Sequence, residues 1–236
     1  MRFLAVTVAQ RPAILNYDEM PFYCHTHEPV YFTRDRKRER FERLVRWWND
    51  AHKLAIEYYP EATHFLDVGS YYLGQTKTLR QLVLRYERLN CPEIILAGNV
   101  LYRKNVGPFQ LHATYDTLGF PELVELFGIG VNRLKPKDRL IQLNYVSQPF
   151  IYPVEYWQKH PFHVRQDIQN DEDIPIWYMD FCDESEAPIF VDLGIRFYRD
   201  ESNSDVIVNL TKRVRIFAGQ KMRASRSKKL RRFSLV

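Results

Sequence analysis

The N-terminal half of the chain alternates between apolar stretches with the character of strands and periodic stretches with the character of helices. Residues 3–11, FLAVTVAQR, are β-rich and apolar, and a proline follows them, which predicts a buried strand. Apolar side chains recur every three or four positions over 34–59 and predict one face of a long helix. Two further strands, 62–69 and 91–103, enclose a second helix over 77–89. This order predicts an α/β fold with a mostly parallel central sheet flanked by helices.

The C-terminal half has a less regular pattern. Residues 104–150 predict shorter elements, and residues 155–162 predict a short helix. Residues 175–200 predict a strand, an acidic segment, a short helix and another strand, and residues 205–218 predict a last pair of strands. The segment 16–33, rich in aromatic residues and histidine, is a predicted loop.

The charge of the chain changes near its end. Residues 212–236 hold ten of the 34 Lys and Arg residues and none of the 29 Asp and Glu residues. The net charge of +5 therefore combines a basic segment with 211 preceding residues that carry a formal −5. We expect a single domain over 1–218 and a flexible basic tail over 219–236. Such a tail attracts an anionic membrane surface or nucleic acid, and a solubilising extension is the alternative.

The composition indicates a globular protein of the cell interior. A hydrophobic content of 45% is ample for a core, and no apolar stretch approaches the length of a membrane span. The apolar N-terminus lacks the cleavage site of a signal peptide. Cys24, Cys91 and Cys182 are far apart and form no disulfide or metal-binding pattern. We expect a cytoplasmic protein, with a peripheral position at the inner membrane surface as the alternative.

Two charged residues stand where predicted strands end. Arg11 follows the first strand, and Asp67 ends the second within HFLDVGSYY. Ligands of open α/β sheets bind outside the carboxyl ends of the strands, and a hard cation such as Mg²⁺ or Mn²⁺ takes carboxylate oxygens. Asp67 is therefore a candidate metal ligand, although an aspartate close to a glycine is also common in turns.

An acidic segment supplies candidates for a general base. Asp180, Asp183, Glu184 and Glu186 lie between two apolar stretches, WYM and PIFV, so we expect at least one carboxylate to point inward. A solvated acidic loop is the alternative. The chain contains no Walker A, GxGxxG, GxSxG or HExxH motif.

Residues 43–73, RLVRWWNDAHKLAIEYYPEATHFLDVGSYYL, resemble the core of GT-A glycosyltransferases, in which a helix bearing Arg and Asn leads into a strand that ends in an Asp-x-Asp motif. Arg46 and Asn49 stand on the helix here, and Asp67 ends the strand. The stretch LAVTVAQRP resembles the opening strand of these enzymes, whose end holds the nucleotide base. The stretch EIILAGNVLYR resembles the strand that follows the motif.

Residues 185–217, SEAPIFVDLGIRFYRD through DVIVNLTKRVRIF, are similar to a region of the fungal capsular α-1,3-mannosyltransferase family. The corresponding positions are Ser185-Glu186, Asp192-Leu193 and Asn209. The two resemblances together imply a GT-A-like fold. It would have a Rossmann-like nucleotide-sugar half over about 1–104 and an acceptor half over about 105–218.

The chain departs from the Asp-x-Asp motif at its second aspartate. Gly69 stands at that position and leaves one carboxylate, with Ser70 as a hydroxyl partner. A single carboxylate holds Mn²⁺ or Mg²⁺ where the diphosphate of the sugar donor supplies further oxygens. A metal-independent enzyme with Arg or Lys against the diphosphate and a non-catalytic relative are the alternatives.

The resemblance implies a glycosyltransferase that moves a sugar from a GDP- or UDP-linked donor to a glycan, glycoprotein or glycolipid acceptor. The implied donor-binding residues are Arg11, Arg46, Asn49, Asp67, Gly69 and Ser70, with the metal at Asp67. An inverting enzyme needs a carboxylate base, and the candidates are Glu186, Asp180 and Asp183. A retaining enzyme, implied by the mannosyltransferase likeness, would not use that base in the same role. The alternative function is a non-catalytic GT-A-like protein attached to nucleic acid or an anionic membrane through its basic tail.

Overall fold

The computed structural model of the chain combines strands and helices. It describes residues 1–15, 20–27, 37–106, 109–114, 140–143, 146, 148–168 and 177–200. The strands are β1 (Phe3–Ala9), β2 (Phe22–Thr26), β3 (His64–Asp67), β4 (Ile95–Val106), β5 (Phe109–Thr114), β6 (Leu140–Leu143), β7 (Phe150–Pro153) and β8 (Ile189–Asp200). The helices are α1 (Lys37–Tyr58), α2 (Thr76–Leu89), α3 (Val154–Lys159) and α4 (Trp177–Ser185), with a 3₁₀ turn at Ser70–Tyr72.

The predicted α/β class is confirmed, and the sheet is mixed. Its strand order is β2-β1-β3-β7-β4-β8-β6, with β5 beside β4. β1 pairs in parallel with β2 and β3, whereas β7 runs antiparallel to both of its neighbours, β3 and β4. The prediction of a mostly parallel sheet is wrong here, because the later strand β7 inserts between two strands that the alternation of elements placed side by side.

Helices cover both faces of the sheet around β3, because successive side chains of a strand point to opposite faces. Phe65 and Asp67 point toward α1, where the Phe65 ring meets the His52 ring edge-on at 4.4 Å between centroids. His64 points the other way and meets Tyr86 of α2 at 5.2 Å. All four residues of β3 are buried. Asp67 is therefore held in the layer between the sheet and α1.

Both long helices follow the apolar stripes predicted for them. The buried residues of α1 include Phe41, Val45, Trp48, His52 and Ala55, and those of α2 are Leu79, Leu82, Val83 and Tyr86. α1 ends at Tyr58, two residues before Pro60, which cannot continue a helix. Asn90 closes α2 in the left-handed conformation, with φ 47°, that asparagine tolerates at helix ends.

Two elements differ from the sequence prediction. β2 lies in the predicted loop 16–33, and as a half-buried edge strand it carries no clear apolar alternation. α4 occupies the start of the segment predicted as a strand. Its buried residues Tyr178, Phe181 and Cys182 are spaced by three and four positions, which is the spacing of a helix face rather than of a strand.

The chain divides into two compact units, each made of two segments. The first comprises Met1–Gly98 and Gln142–Val191, and the second comprises Asn99–Ile141 and Asp192–Val236. The four helices of the described residues belong to the first unit. The predicted domain over 1–218, with its halves meeting near residue 104, stays a prediction. The predicted strand pair at 205–218, which includes Asn209, and the tail 219–236 lie outside the described residues.

Candidate functional site

Asp67 lies in a fully buried cluster with His52 and Tyr152. None of the three side chains has any exposed surface. His52 Nε2 lies 2.7 Å from Asp67 Oδ1, and the Tyr152 hydroxyl donates to Asp67 Oδ2 at 3.0 Å. His52 comes from α1, and Tyr152 comes from β7, where it stands opposite Phe65 of β3. Both carboxylate oxygens of Asp67 are therefore engaged by side chains of neighbouring elements.

Hydrogen bonds join the members of this cluster to one another and to the backbone. His52 Nδ1 lies 2.6 Å from the carbonyl oxygen of Trp48, which only accepts, so Nδ1 is the donor of that hydrogen bond. His52 Nε2 lies 2.7 Å from Asp67 Oδ1 and 2.9 Å from the Tyr152 hydroxyl, so all three side chains are in mutual hydrogen-bond contact. Burial first, and then the neighbouring Asp67 charge, raise the pKa of Tyr152 well above its usual value, so its hydroxyl stays a donor. The cluster is a satisfied internal network.

The arrangement around Asp67 does not fit a metal ion, because both carboxylate oxygens are already in hydrogen-bond contact with His52 and Tyr152 and the side chain is enclosed. Gly69 offers no ligand, and a Cβ there would lie 3.1 Å from Gln148 Oε1 and 3.3 Å from the Tyr72 ring. Nowhere in the described parts of the chain do three or more His, Cys, Asp or Glu residues group to hold a metal. The open strand end that the metal prediction requires is absent at Asp67, and metal dependence stays a prediction.

The other predicted donor-binding residues fall into two groups. Arg11, Arg46 and Ser70 are exposed, after β1, on α1 and at the 3₁₀ turn respectively. The Asn49 amide instead binds the protein itself: Nδ2 donates to the Phe162 carbonyl at 2.7 Å, while Oδ1 accepts from Trp157 Nε1 at 2.9 Å and from the Phe162 N–H at 3.1 Å. Asn49 thus holds the segment after α3 in place. Contacts of these residues with a sugar donor stay predictions.

A polar cavity lies beside α4, within the first unit. It has a volume of about 390 Å³, which is in the range of small-molecule sites. Its lining residues are His163, Val164, Arg165, Gln166, Asp167, Asp180, Asp183 and Glu184. Two of the three predicted catalytic carboxylates, Asp180 and Asp183, therefore meet at one cavity.

Asp180 is the buried carboxylate of this cavity. Its side chain is 7% exposed, and its Oδ2 atom accepts no hydrogen bond from any residue in the described part of the chain. Oδ1 lies 4.0 Å from Arg165 Nη1, at the limit of an ion pair. Burial raises the pKa of Asp180, and the opposing effects of Arg165 and His163 do not cancel that rise. The expectation that one carboxylate of the acidic segment points inward is met by Asp180.

Hydrogen bonds from the start of α1 hold the opposite wall of the cavity. Arg38 donates from Nη1 to the Arg165 carbonyl at 2.9 Å and from Nη2 to the Ile168 carbonyl. The Arg165 guanidinium in turn donates two hydrogen bonds to the Asp167 carboxylate, of 2.6 Å and 3.1 Å. The backbone of this wall is thus fixed by α1, and its one guanidinium is already paired.

The remaining catalytic candidate, Glu186, does not line the cavity. It is exposed and follows α4 in the left-handed region, with φ 52°. Ser185 before it donates from Oγ to the Cys182 carbonyl at 3.0 Å, which is a local helix contact. Asp183 is exposed at the cavity rim. The structure therefore separates Asp180 from Glu186, although the two are only six positions apart in sequence.

Several residues of these sites escape sequence reasoning. His52 stands on the buried stripe of α1, and a histidine there needs a polar partner, which is the one signal that points toward Asp67. Tyr152 and Arg165 carry no comparable signal. Each belongs to a segment without a motif and reaches its site only through the fold.

Comparison of the chain with protein-family models and with curated proteins finds no match. The helices in the described part of the chain include none with both the length and the apolar character needed to cross a bilayer. What the structure establishes is an α/β fold with a mixed sheet, a closed polar cluster at Asp67 and a polar cavity at Asp180.

Proposed function

We propose that the protein is a glycosyltransferase that moves a sugar from a nucleotide-sugar donor to an acceptor hydroxyl. The observation that carries the proposal is Asp180, a buried carboxylate in a cavity of suitable size whose Oδ2 atom has no partner among the described residues. A carboxylate in that state is suited to receive a hydrogen bond, and then a proton, from a bound hydroxyl.

In the proposed step, the acceptor oxygen attacks the anomeric carbon of the donor sugar. A new carbon–oxygen bond forms, the bond to the diphosphate breaks, and the hydroxyl proton passes to Asp180. The raised pKa of Asp180 makes the carboxylate a stronger base than an ordinary aspartate. Asp183 at the rim orients the acceptor through hydrogen bonds to other hydroxyl groups.

The fold also offers a place for the nucleotide-sugar donor of the proposed reaction. Donors of α/β proteins bind outside the carboxyl ends of the strands, where the exposed Arg11 follows β1 and Ser70 follows β3. Arg11 and Arg46 are the cations proposed to meet the diphosphate, as charge-assisted hydrogen bonds to phosphate allow. The proposed reaction does not depend on a metal at Asp67, and Mn²⁺ or Mg²⁺ is an additive to test.

The basic C-terminal segment favours a second candidate, a protein without catalysis that attaches to an anionic membrane or to nucleic acid. Ten positive and no negative side chains over 212–236 are the observation behind it. The same segment could serve the enzyme by placing it near a membrane-bound acceptor. The two candidates differ in whether the protein turns over a nucleotide sugar.

The experiment is a panel of UDP-, GDP- and CDP-sugars, with and without Mn²⁺, assayed by melting temperature and by release of nucleoside diphosphate. A bound donor raises the melting temperature by mass action. Asp180→Asn should lower turnover by about 10²–10⁴-fold, the usual contribution of a general base, and should leave the donor-induced shift in place. Asp50→Asn, an exposed change on α1, is the matched control. Absence of both a shift and turnover with every donor would sink the enzyme proposal.

A further inference from the structure

The cavity beside α4 carries more negative charge than one catalytic base requires. Its lining includes four carboxylates and one guanidinium. Asp167 already takes the Arg165 guanidinium through hydrogen bonds of 2.6 Å and 3.1 Å. The charges of Asp167 and Arg165 therefore balance each other. The carboxylates of Asp180, Asp183 and Glu184 have no second guanidinium in the cavity lining to balance them.

Histidines offset only part of this charge. Glu184 lies 3.4 Å from His163 Nε2 and 3.9 Å from His160 Nδ1, and all three side chains are partly exposed. An imidazole offsets a carboxylate only while it is protonated. The negative charge of the cavity attracts a cation.

Asp180 is the buried carboxylate of the cavity, and one of its oxygens is unpaired among the described residues. The residue is 5% exposed, and its Oδ2 atom accepts no hydrogen bond from the described residues. Leaving a buried carboxylate oxygen unpaired costs free energy, which a ligand N–H or O–H group recovers. No metal-binding group of three His, Cys, Asp or Glu residues occurs within the described ranges. This favours an organic cation, whose contacts spread over a wider site.

We propose that the cavity binds a protonated amine, and that the acceptor is a polyol or sugar carrying an amino group. The ammonium group lies among Asp180, Asp183 and Glu184, since it offers three hydrogen-bond donors and no acceptor. The neighbouring hydroxyl is the one that meets the Asp180 carboxylate where it lines the cavity. The identity of the ligand as an acceptor rests on the proposed function, whereas the binding of an amine does not.

The test compares D-glucamine with D-glucitol, two polyols that differ by one ammonium in place of one hydroxyl. Binding is followed by titration with ligand-observed NMR at about pH 8, where an alkyl amine stays protonated as lysine does. Glucamine should bind about tenfold or more tightly than glucitol, which is the worth of one charged hydrogen bond. Added salt should reduce the difference.

The double variant Asp183→Asn/Glu184→Gln should remove most of that preference. The matched control, Asp50→Asn/Glu57→Gln, deletes the same two charges from exposed positions of α1 outside the cavity and should keep it. Equal binding of the two polyols, binding of neither, or an equal loss in both double variants would overturn the proposal. Release of nucleoside diphosphate is measured separately, so amine binding without turnover contradicts only the proposed function.

Discussion

Asp180 holds its proton more tightly in the folded protein than in the unfolded chain, because burial raises its pKa above the ordinary value of 3.8. A group of this kind adds stability that is complete below its unfolded pKa and is lost as the pH rises through its folded pKa. Once ionised, the buried Asp180 is therefore a cost to the fold. Such a cost is typical of residues kept for function.

Replacing Asp180 with asparagine should make the protein relatively more stable as the pH rises. The free energy of unfolding of Asp180→Asn minus that of the natural protein should increase from acid pH, near 3.8, toward neutral pH, since the amide never ionises. Urea unfolding at a series of pH values measures this difference. A difference that stays constant with pH would contradict the burial effect, and Asp50→Asn controls for the loss of a surface carboxylate.

At the level of single residues, the sequence identified candidate residues more readily than it identified the residues they contact in the structure. Asp67 stood out because it ends an apolar strand, and the acidic segment stood out because apolar stretches enclose it. The state of each carboxylate depends on distant residues: Tyr152 lies 85 positions from Asp67. Local sequence contains no record of such pairings, so it could not separate an enclosed carboxylate from an available one.

Among the elements, α1 does more than cover the sheet. Asn49 forms one hydrogen bond to Trp157 of α3 and two to Phe162 after that helix, and Arg38 holds the backbone of Arg165. The cavity wall is therefore attached to the helix that also supplies His52.

Elements with marked periodicity, α1 and α2, were predicted nearly to their ends. Elements set by pairing, such as the edge strand β2, were not, because their positions follow from neighbours rather than from their own pattern.

Asn49→Ala should destabilise the protein by about 1–3 kcal/mol, because the Trp157 Nε1–H and the Phe162 N–H would lose their acceptor. Amide hydrogen exchange should quicken at residues 160–168 before it changes in β3. Asp50→Ala, an exposed change one position along the same helix, should alter stability by no more than about 0.5 kcal/mol. If Asn49→Ala leaves the free energy of unfolding unchanged, the structural role of Asn49 is contradicted and its predicted role in donor binding is favoured.

On the scale of the whole molecule, charge is divided between an acidic body and a basic end. The 211 residues before the basic segment contain 24 Lys and Arg against 29 Asp and Glu. The α/β class could be predicted from the sequence, because the alternation of strand-like and helix-like hydrophobic patterns extends over many residues. The insertion of β7 did not follow, since a strand's neighbour in the sheet is chosen by the whole chain.

Deleting residues 221–236 should leave turnover of a nucleotide sugar unchanged and should weaken binding to vesicles that contain anionic lipid. Each Lys or Arg near such a surface contributes about 1 kcal/mol, and salt screens the attraction. Vesicle co-sedimentation at low and high salt, beside the diphosphate assay, measures both effects. Loss of turnover on deletion would instead make the segment part of the catalytic body, and binding to RNA in place of vesicles would favour the nucleic-acid alternative.

α4 gives two neighbouring residues two separate environments. Successive positions of an α-helix differ by about 100°, so Asp180 lines the cavity while Phe181 packs on Tyr152 and Phe162, with ring centroids 4.9 Å and 5.1 Å apart. Rotating the helix to adjust Asp180 to a ligand would pull Phe181 out of this aromatic packing. The carboxylate is therefore pre-positioned by the core, and the cavity should choose ligands by their fit to a fixed geometry rather than by reshaping itself around them.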